Sequence, residues 1–400
     1  MSQEQAGRRM FLKGAASGIL GSAAMLPVLQ GSAFALASGG GSSMLHEVAQ
    51  PGRGAGAKPK YSIKFAVIGM SHYHIFDMVG TIERGGGVLV SGYAAEPQDA
   101  AAFAKRFPQA RMAKSEDEIL NDPSIQLVLS AAVPDQRAPL GIRVMQHGKD
   151  FLSDKPGITS LEQLAEVRKA QAETHRIYGI LYSGRLEVPA AVKAGELVQA
   201  GAIGRVVQTL NIAPHQIHQA GGAPRPDWFW DAARYGGIIT DIGSHQADQF
   251  LYFTGSTEAE VVSSQVANVN HKDHPKFQDF GDATLRGDRG VGYMRMDWFT
   301  PNGLGTWGDD RLFILGTEGY IELRPYVDLA GRKGGNHLFI VDQKQTRHID
   351  CNNVELPFGA QFVSDVVNRT QTGQNQTQCL LTMELVLKAQ KSAYMLHLKA

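Results

Sequence analysis

The sequence predicts an α/β protein in two parts: a doubly wound parallel sheet, then an α+β domain on a mostly antiparallel sheet. Three observations carry this. From 61 to about 180, apolar runs of five to eight residues alternate with amphipathic stretches of about a dozen, the pattern of βαβ units. From 259 to about 345 the chain is mostly successive strands, as antiparallel sheets require. The 400 residues, 43% apolar and 20% charged, suffice for two domains each with its own core.

The chain opens on an expected export signal, residues 1–37. "GRRMFLKG" supplies the charged start, "AASGILGSAAMLPVL" an apolar region too short to span a bilayer, and Ala33-Phe34-Ala35 a small-x-small cleavage site. Arg8-Arg9 followed by x-Phe-Leu-Lys resembles the twin-arginine form, with Gly7 where Ser or Thr is usual. The expectations are a periplasmic or secreted protein, the twin-arginine machinery as a partner, and no membrane span after cleavage. Residues 38–60, rich in Gly, Ser, Pro and Lys, read as a flexible leader.

The first domain is expected over 61–183. Its strands are "IKFAVIG", "GVLVSGYA", "IQLVLSAAV", "KDFLSD" and "IYGILYSG", each but the last leading into a helix-like segment. Ligands of such sheets bind beyond the carboxyl ends of the strands. The second domain, 184–400, begins with the helix "VPAAVKAGELVQAG" and the strand "GRVVQTLNIA". A Gly/Pro/Trp-rich loop and a helix from about Asp241 follow. The strands of 259–345 come next, and helices within 358–371 and 379–397 close the chain.

Thirty-nine Lys+Arg balance 39 Asp+Glu, and no basic tract interleaves with aromatics, so nucleic acid is not an expected partner. Two cysteines, Cys351 and Cys379, are too few for a cysteine-held metal or iron–sulfur site. In an oxidising compartment they either pair or stay free.

Three stretches could carry chemistry. In "SDKPG", Lys155 projects at the carboxyl end of the sheet, where it can clamp or protonate a substrate oxygen. In "GGIITDIGSHQADQFLYFTG", a helix starting near Asp241 would align Asp241, His245 and Asp248 at i, i+4 and i+7. A carboxylate beside an imidazole suits proton transfer at neutral pH, and Gly236-Gly237 would let the backbone approach a ligand. Histidines form the third group: His72 and His74 in "IGMSHYHIF", and His215 and His218 in "APHQIHQ". His215 and His218 either share a divalent metal with Asp241 and His245 or touch substrate.

In order and spacing, "SDKPG", "LVQAGAIGRV", "RPDWFWDAARYGGIITDIGSHQADQFLYFTG" and "RLFILGTEGYIEL" together resemble the glucose-fructose oxidoreductase/inositol dehydrogenase (Gfo/Idh/MocA) family over about 61–395. The resemblance implies a Rossmann domain that binds NAD or NADP, a second domain whose open sheet serves homo-oligomerisation, and a sugar or cyclitol substrate. It implies that Lys155 touches substrate and nicotinamide, and that Asp241 and His245 are the D-x-G-x-H pair, His245 taking the hydroxyl proton. Tyr182 and Arg185 are then expected to face the same cleft, and Asp248 to support its helix or bind substrate. His215, His218 and Trp228 are further candidates for substrate contact, Trp228 either stacking on a sugar ring or filling the core. Gly69, Ser71, His72, His74, Glu96, Pro134 and Lys155 are expected at the cofactor.

The departures from the family pattern lie around the cofactor. Ser71 and His74 stand where the G-x-G-x-x-G turn has glycines. Ala94 or Ala95 stands at the ribose carboxylate, with Glu96 late. Asp154 replaces the glutamate before Lys155, and "VPDQRAP" replaces a histidine-bearing segment. Two other readings therefore stay open. One is a nicotinamide-independent, metal-assisted glycoside lyase or hydrolase using the histidines with Asp241. The other is a non-catalytic sugar-binding protein.

Overall fold

The computed structural model describes residues 59–218 and 224–398. The expected export signal and nearly all of the leader lie outside the described residues.

Strands β1 (Ile63–Ile68), β2 (Gly87–Tyr93), β3 (Arg111–Met112), β4 (Leu127–Ser130), β5 (Asp150–Asp154) and β6 (Tyr178–Leu181) form a parallel sheet in the order β3-β2-β1-β4-β5-β6. Helices α1 (His74–Arg84), α2 (Pro97–Arg106), α3 (Glu116–Leu120), α4 (Pro134–Gln146) and α5 (Leu161–Thr174) make the crossovers. Every residue of β4, β5 and β6 is buried, and β1 exposes only Lys64, because a parallel sheet is covered on both faces. The strand order reverses between β1 and β4, which opens the ligand crevice at their carboxyl ends.

Two helices, α6 (Ser183–Leu186) and α7 (Pro189–Gln199), lead into β7 (Val206–Pro214). Helices α8 (Ala232–Tyr235), α9 (Ile238–Asp241) and α10 (Gly243–Thr254) precede β8 (Ala259–Ala267), β9 (Phe280–Gly287) and β10 (Val291–Asp297). Then come β11 (Arg311–Gly316), β12 (Gly319–Arg324), β13 (His337–Asp342) and β14 (Thr346–Asp350), helices α11 (Phe358–Asn368) and α12 (Gln376–Ser392), and β15 (Tyr394–Met395). The second sheet has nine strands, ordered β14-β13-β12-β11-β7-β10-β9-β8-β15, antiparallel except at β7–β10 and β8–β15. Alternating burial along β7, β9 and β10 marks a sheet with one face packed and one open.

The main apolar core runs without a break from Phe65 and Phe151 to Phe250, Met296 and Leu387, so the parallel sheet and the helices of the second half share it. A smaller cluster, with Ala194, Ile314, Leu338 and Cys351, packs α7 against β11–β13. Cys351 and Cys379 are both free and buried, in different clusters. Burial pushes each thiol up to about 12. Among the described residues no helix is long and apolar enough to cross a membrane.

The sequence placed a helix start near Asp241. Asp241 instead ends α9, and α10 begins at Gly243. Gly236 and Gly237, both at positive φ, make the turn from α8 into α9. A Cβ on Gly237 would collide with Gln390 of α12, so these glycines serve packing rather than close approach to a ligand.

Candidate active site

Gly69 ends β1 at φ +80, and a Cβ there would lie 2.5 Å from Cβ of Ala132. The two loops at the switch point therefore touch, and Ala131 N–H donates to Gly69 O while His72 N–H donates to Ala131 O. Only glycine meets both conditions, positive φ and no space. The turn then runs through half-buried Ser71 into α1, whose first residue is His74.

Lys155 follows β5 directly. Its Nζ donates to Asp241 Oδ1 at 2.9 Å, with side chains 9% and 16% exposed. The pair spans the two halves of the molecule. His245, in the first turn of α10, receives Gly184 N–H on Nδ1 at a long 3.4 Å. Burial, then the positive charge of Lys155, holds its imidazole well below the usual histidine range, so the ring is neutral at neutral pH. With Nδ1 accepting, the ring proton sits on Nε2. The expectation that Asp241 sits beside His245 as its orienting carboxylate is corrected: the hydrogen-bond partner of Asp241 is Lys155.

A second polar group lies beside the first. Asp154, 3% exposed, has His74 Nδ1 at 2.9 Å from Oδ1 and His72 Nδ1 at 3.4 Å from Oδ2. Arg137 Nη2 stands 3.1 Å from Oδ2, and the arginine is fully buried. Arg137 also donates to the carbonyls of Ala132, Lys155 and Pro156, which ties the loop after β4 to the lysine loop. The carboxyl of Asp154 is held well below its usual range; burial opposes this, and the charges of His74 and Arg137 outweigh it. Burial lowers His72 to about 3.

Aromatic rings and further charges surround these groups. Trp228 lies 6.2 Å, centroid to centroid, from His72, whereas Trp230 stacks on His274 at 3.7 Å. His215 packs edge-on to Trp298 and Trp307, and its imidazole is lowered to about 3 by burial first and then by Lys155. Arg225 lies over the Phe229 and Trp298 rings.

Asp310 is a residue that sequence patterns missed, since a lone loop carboxylate gives no signal. With Asn211, Gln249 and Tyr326 it lines a cavity that reaches Gly184. Its Oδ1 is shut off from solvent without a hydrogen-bond partner. Burial, with Asp309 and Asp297 nearby, raises its carboxyl to about 8 against the opposing charge of Lys155. The folded state then holds a proton that the unfolded chain has lost. This group's contribution to stability falls as pH rises from about 4 to about 8. Asp310→Asn removes that dependence: its melting temperature should exceed wild type at pH 8 and match it near pH 4. An equal difference at both pH values would contradict the assignment.

Two models describe this chain. The "Oxidoreductase family, NAD-binding Rossmann fold" model matches residues 63–182, and the "GFO/IDH/MocA C-terminal domain" model matches 191–322. A solved structure assigned as an oxidoreductase from Erwinia carotovora atroseptica SCRI1043 is 44% identical, covers 84% of this chain and 100% of its own, and superposes with a TM-score of 0.81.

The chain belongs to the GFO/IDH/MocA oxidoreductase family.

Among curated relatives, scyllo-inositol 2-dehydrogenase (NAD(+)) of Bacillus subtilis is 25% identical over 317 residues, 76% of this chain and 87% of the relative. The 1,5-anhydro-D-fructose reductase of Ensifer adhaerens is 26% identical over 265 residues, 64% and 74% of the two chains. The protein is thus an NAD(P)-binding enzyme of this oxidoreductase family.

The turn of this GFO/IDH/MocA chain fits a dinucleotide at Gly69, which keeps the tight bend at the switch point, and at the start of the 11-residue helix α1. Ser71, half-buried in this turn, lies near Asp99 at the head of α2. Glu96 is exposed at the N-cap of α2, and Pro134 is buried at the first position of α4. Where the family has its third glycine, His74 turns to Asp154 instead.

Two side chains expected to face the cleft, Tyr182 and Arg185, are committed to partners within the fold. Tyr182 is fully buried, and its hydroxyl donates to Cys379 O at 3.0 Å. Arg185 and Asp248 bind each other through two hydrogen bonds, at 2.5 and 3.0 Å, with Asp248 1% exposed. His218 is exposed. Nor do His215, His218, Asp241 and His245 gather as a metal site. Among the described residues, the group of three or more potential ligands whose atoms lie within 4.8 Å of one another is His72, His74 and Asp154.

Proposed function

We propose that this protein is an exported oxidoreductase that keeps NAD or NADP tightly bound and acts on a secondary hydroxyl of a sugar, glycoside or cyclitol. The observation that carries this is the Lys155–Asp241 pair at 2.9 Å, with neutral His245 nearby at the switch-point crevice. The curated relatives' names, an inositol dehydrogenase and an anhydrofructose reductase, support the substrate class. Gly69, Ser71, Pro134 and Lys155 are the residues that would hold the dinucleotide. When bound, the nicotinamide supplies hydride acceptance and donation at its C4.

The chain's own residues do the rest. Lys155, fixed by Asp241, donates a hydrogen bond to the substrate oxygen and stabilises negative charge developing there. His245 carries the proton. In its Nε2–H form it donates to a carbonyl oxygen. To accept a hydroxyl proton it must release the Gly184 contact and move its own proton to Nδ1, a change that the long 3.4 Å bond resists little. Trp228, half-buried near His72, offers an apolar face to a sugar ring.

The test is His245→Ala on protein with its bound cofactor. Sugar binding and nicotinamide content should persist while single-turnover hydride transfer falls by about 10²–10⁴. Hydride transfer at the wild-type rate would overturn the role of His245. For export, Arg8→Lys with Arg9→Lys should leave the precursor in the cytoplasm, and unchanged secretion would overturn the twin-arginine assignment.

A further inference from the structure

We propose that His72, His74 and Asp154 form a binding site for one divalent transition-metal ion of the zinc class. This goes beyond the nicotinamide reading and uses none of the residues assigned above to proton transfer.

Two departures from the family pattern coincide in space. His74 replaces a glycine of the dinucleotide turn, and Asp154 replaces the glutamate before Lys155. The two positions lie 80 residues apart in sequence, yet His74 Nδ1 meets Asp154 Oδ1 at 2.9 Å. His72 joins them, its ring 4.0 Å from that of His74, and the three ligand atoms lie within 4.8 Å of one another. Two imidazoles and one carboxylate are the donor set of three-ligand zinc sites, which leave a fourth position for water or substrate.

The hydrogen bonding of the cluster is also incomplete. His72 Nδ1 receives the His74 amide N–H at 3.4 Å, and in the tautomer protonated at Nε2 it turns a lone pair towards the carboxylate. Oδ2 of Asp154, 3.4 Å from that nitrogen, is buried and ion-paired with Arg137 Nη2 at 3.1 Å, without a well-aligned hydrogen bond. Two acceptors facing each other at 3.4 Å leave a place for a cation beside the Arg137 guanidinium that already pairs with Oδ2. Arg137 ion-pairs with Oδ2 at 3.1 Å, and its other hydrogen bonds run to backbone carbonyls. It is placed as an outer partner that orients the carboxylate. The neighbouring Lys155 charge is directed at Asp241.

The experiment uses the mature protein, produced without an affinity tag that binds metal. Metal content is measured on the purified protein, which is then stripped with chelator and titrated with Co²⁺ and Zn²⁺. His74→Ala, Asp154→Asn and His72→Asn are titrated alongside, the last leaving the Asp154–Arg137 pair intact. The expected result is one ion per chain, a visible Co²⁺ ligand-field spectrum, a melting temperature raised by Zn²⁺, and binding weakened at least about 100-fold in each folded variant. No Co²⁺ uptake by the stripped wild type, or uptake unchanged in His72→Asn and His74→Ala, would overturn the site. Nicotinamide content and NAD(P)H binding are measured on the same samples, so loss of the metal site and loss of the redox reading are separable.

Discussion

Replacing Lys155 with methionine should lower hydride transfer by about 10²–10⁴ while nicotinamide stays bound. The Nζ–Asp241 bond of 2.9 Å fixes the lysine between the parallel sheet and α9, so the substitution removes the donor to the substrate oxygen and unpairs Asp241. Lys155→Arg should not rescue, because a planar fork cannot take the place of a compact ammonium. A second readout separates this role from mere packing. The positive charge of Lys155 is, after burial, the largest influence lowering the His245 imidazole, with His74 and His215 acting in the same direction and Asp154 against it. Without the lysine, the acidic limb of the residual pH–rate profile should move to higher pH. A loss of activity with an unmoved limb would mean that Lys155 acts only by holding structure.

Asp248→Ala should destabilise the fold by about 3–5 kcal/mol, since it strands a buried guanidinium. Asp248 is 1% exposed and holds Arg185 by two hydrogen bonds, and the guanidinium carbon lies 4.5 Å from the centre of the Tyr252 ring. The double variant Arg185→Met/Asp248→Leu should recover most of the loss, because replacing both charges removes the desolvation cost along with the pair. Denaturant unfolding of the single and double variants measures this. If Asp248→Ala unfolds like wild type but raises KM for sugar, Asp248 is a substrate ligand and the structural assignment is wrong.

These outcomes bear on how much the sequence could reveal. The parallel strands were legible because burial on both faces leaves runs such as "IKFAVI" and "LVLS" almost wholly apolar. Two-residue β3 and the acidic five-residue α3 are too short to show a period. β14 exposes every second residue and half-buries the others, so it carries no apolar stripe. Within the site, Lys155, Asp241 and His245 stood out through local motifs, but their pairing did not. Asp241 was expected beside His245, four residues on, and instead binds Lys155, 86 residues away, because α9 ends where α10 was expected to begin. Tyr182 and Arg185 were placed in the cleft from their position after β6, yet α12 and α10 cover them. Only tertiary packing decides such cases. His72 and His74 were visible as departures from a glycine pattern, whereas their meeting with Asp154 depends on β1 and β5 ending at one edge of the sheet.

The most direct test of the central claim is to denature natively exported protein and identify what it releases. The account predicts NAD(H) or NADP(H) in about one-to-one ratio with the chain, bound through the turn that Gly69 begins. No released nicotinamide, together with no NAD(P)H binding when the refolded or native protein is titrated, would contradict it.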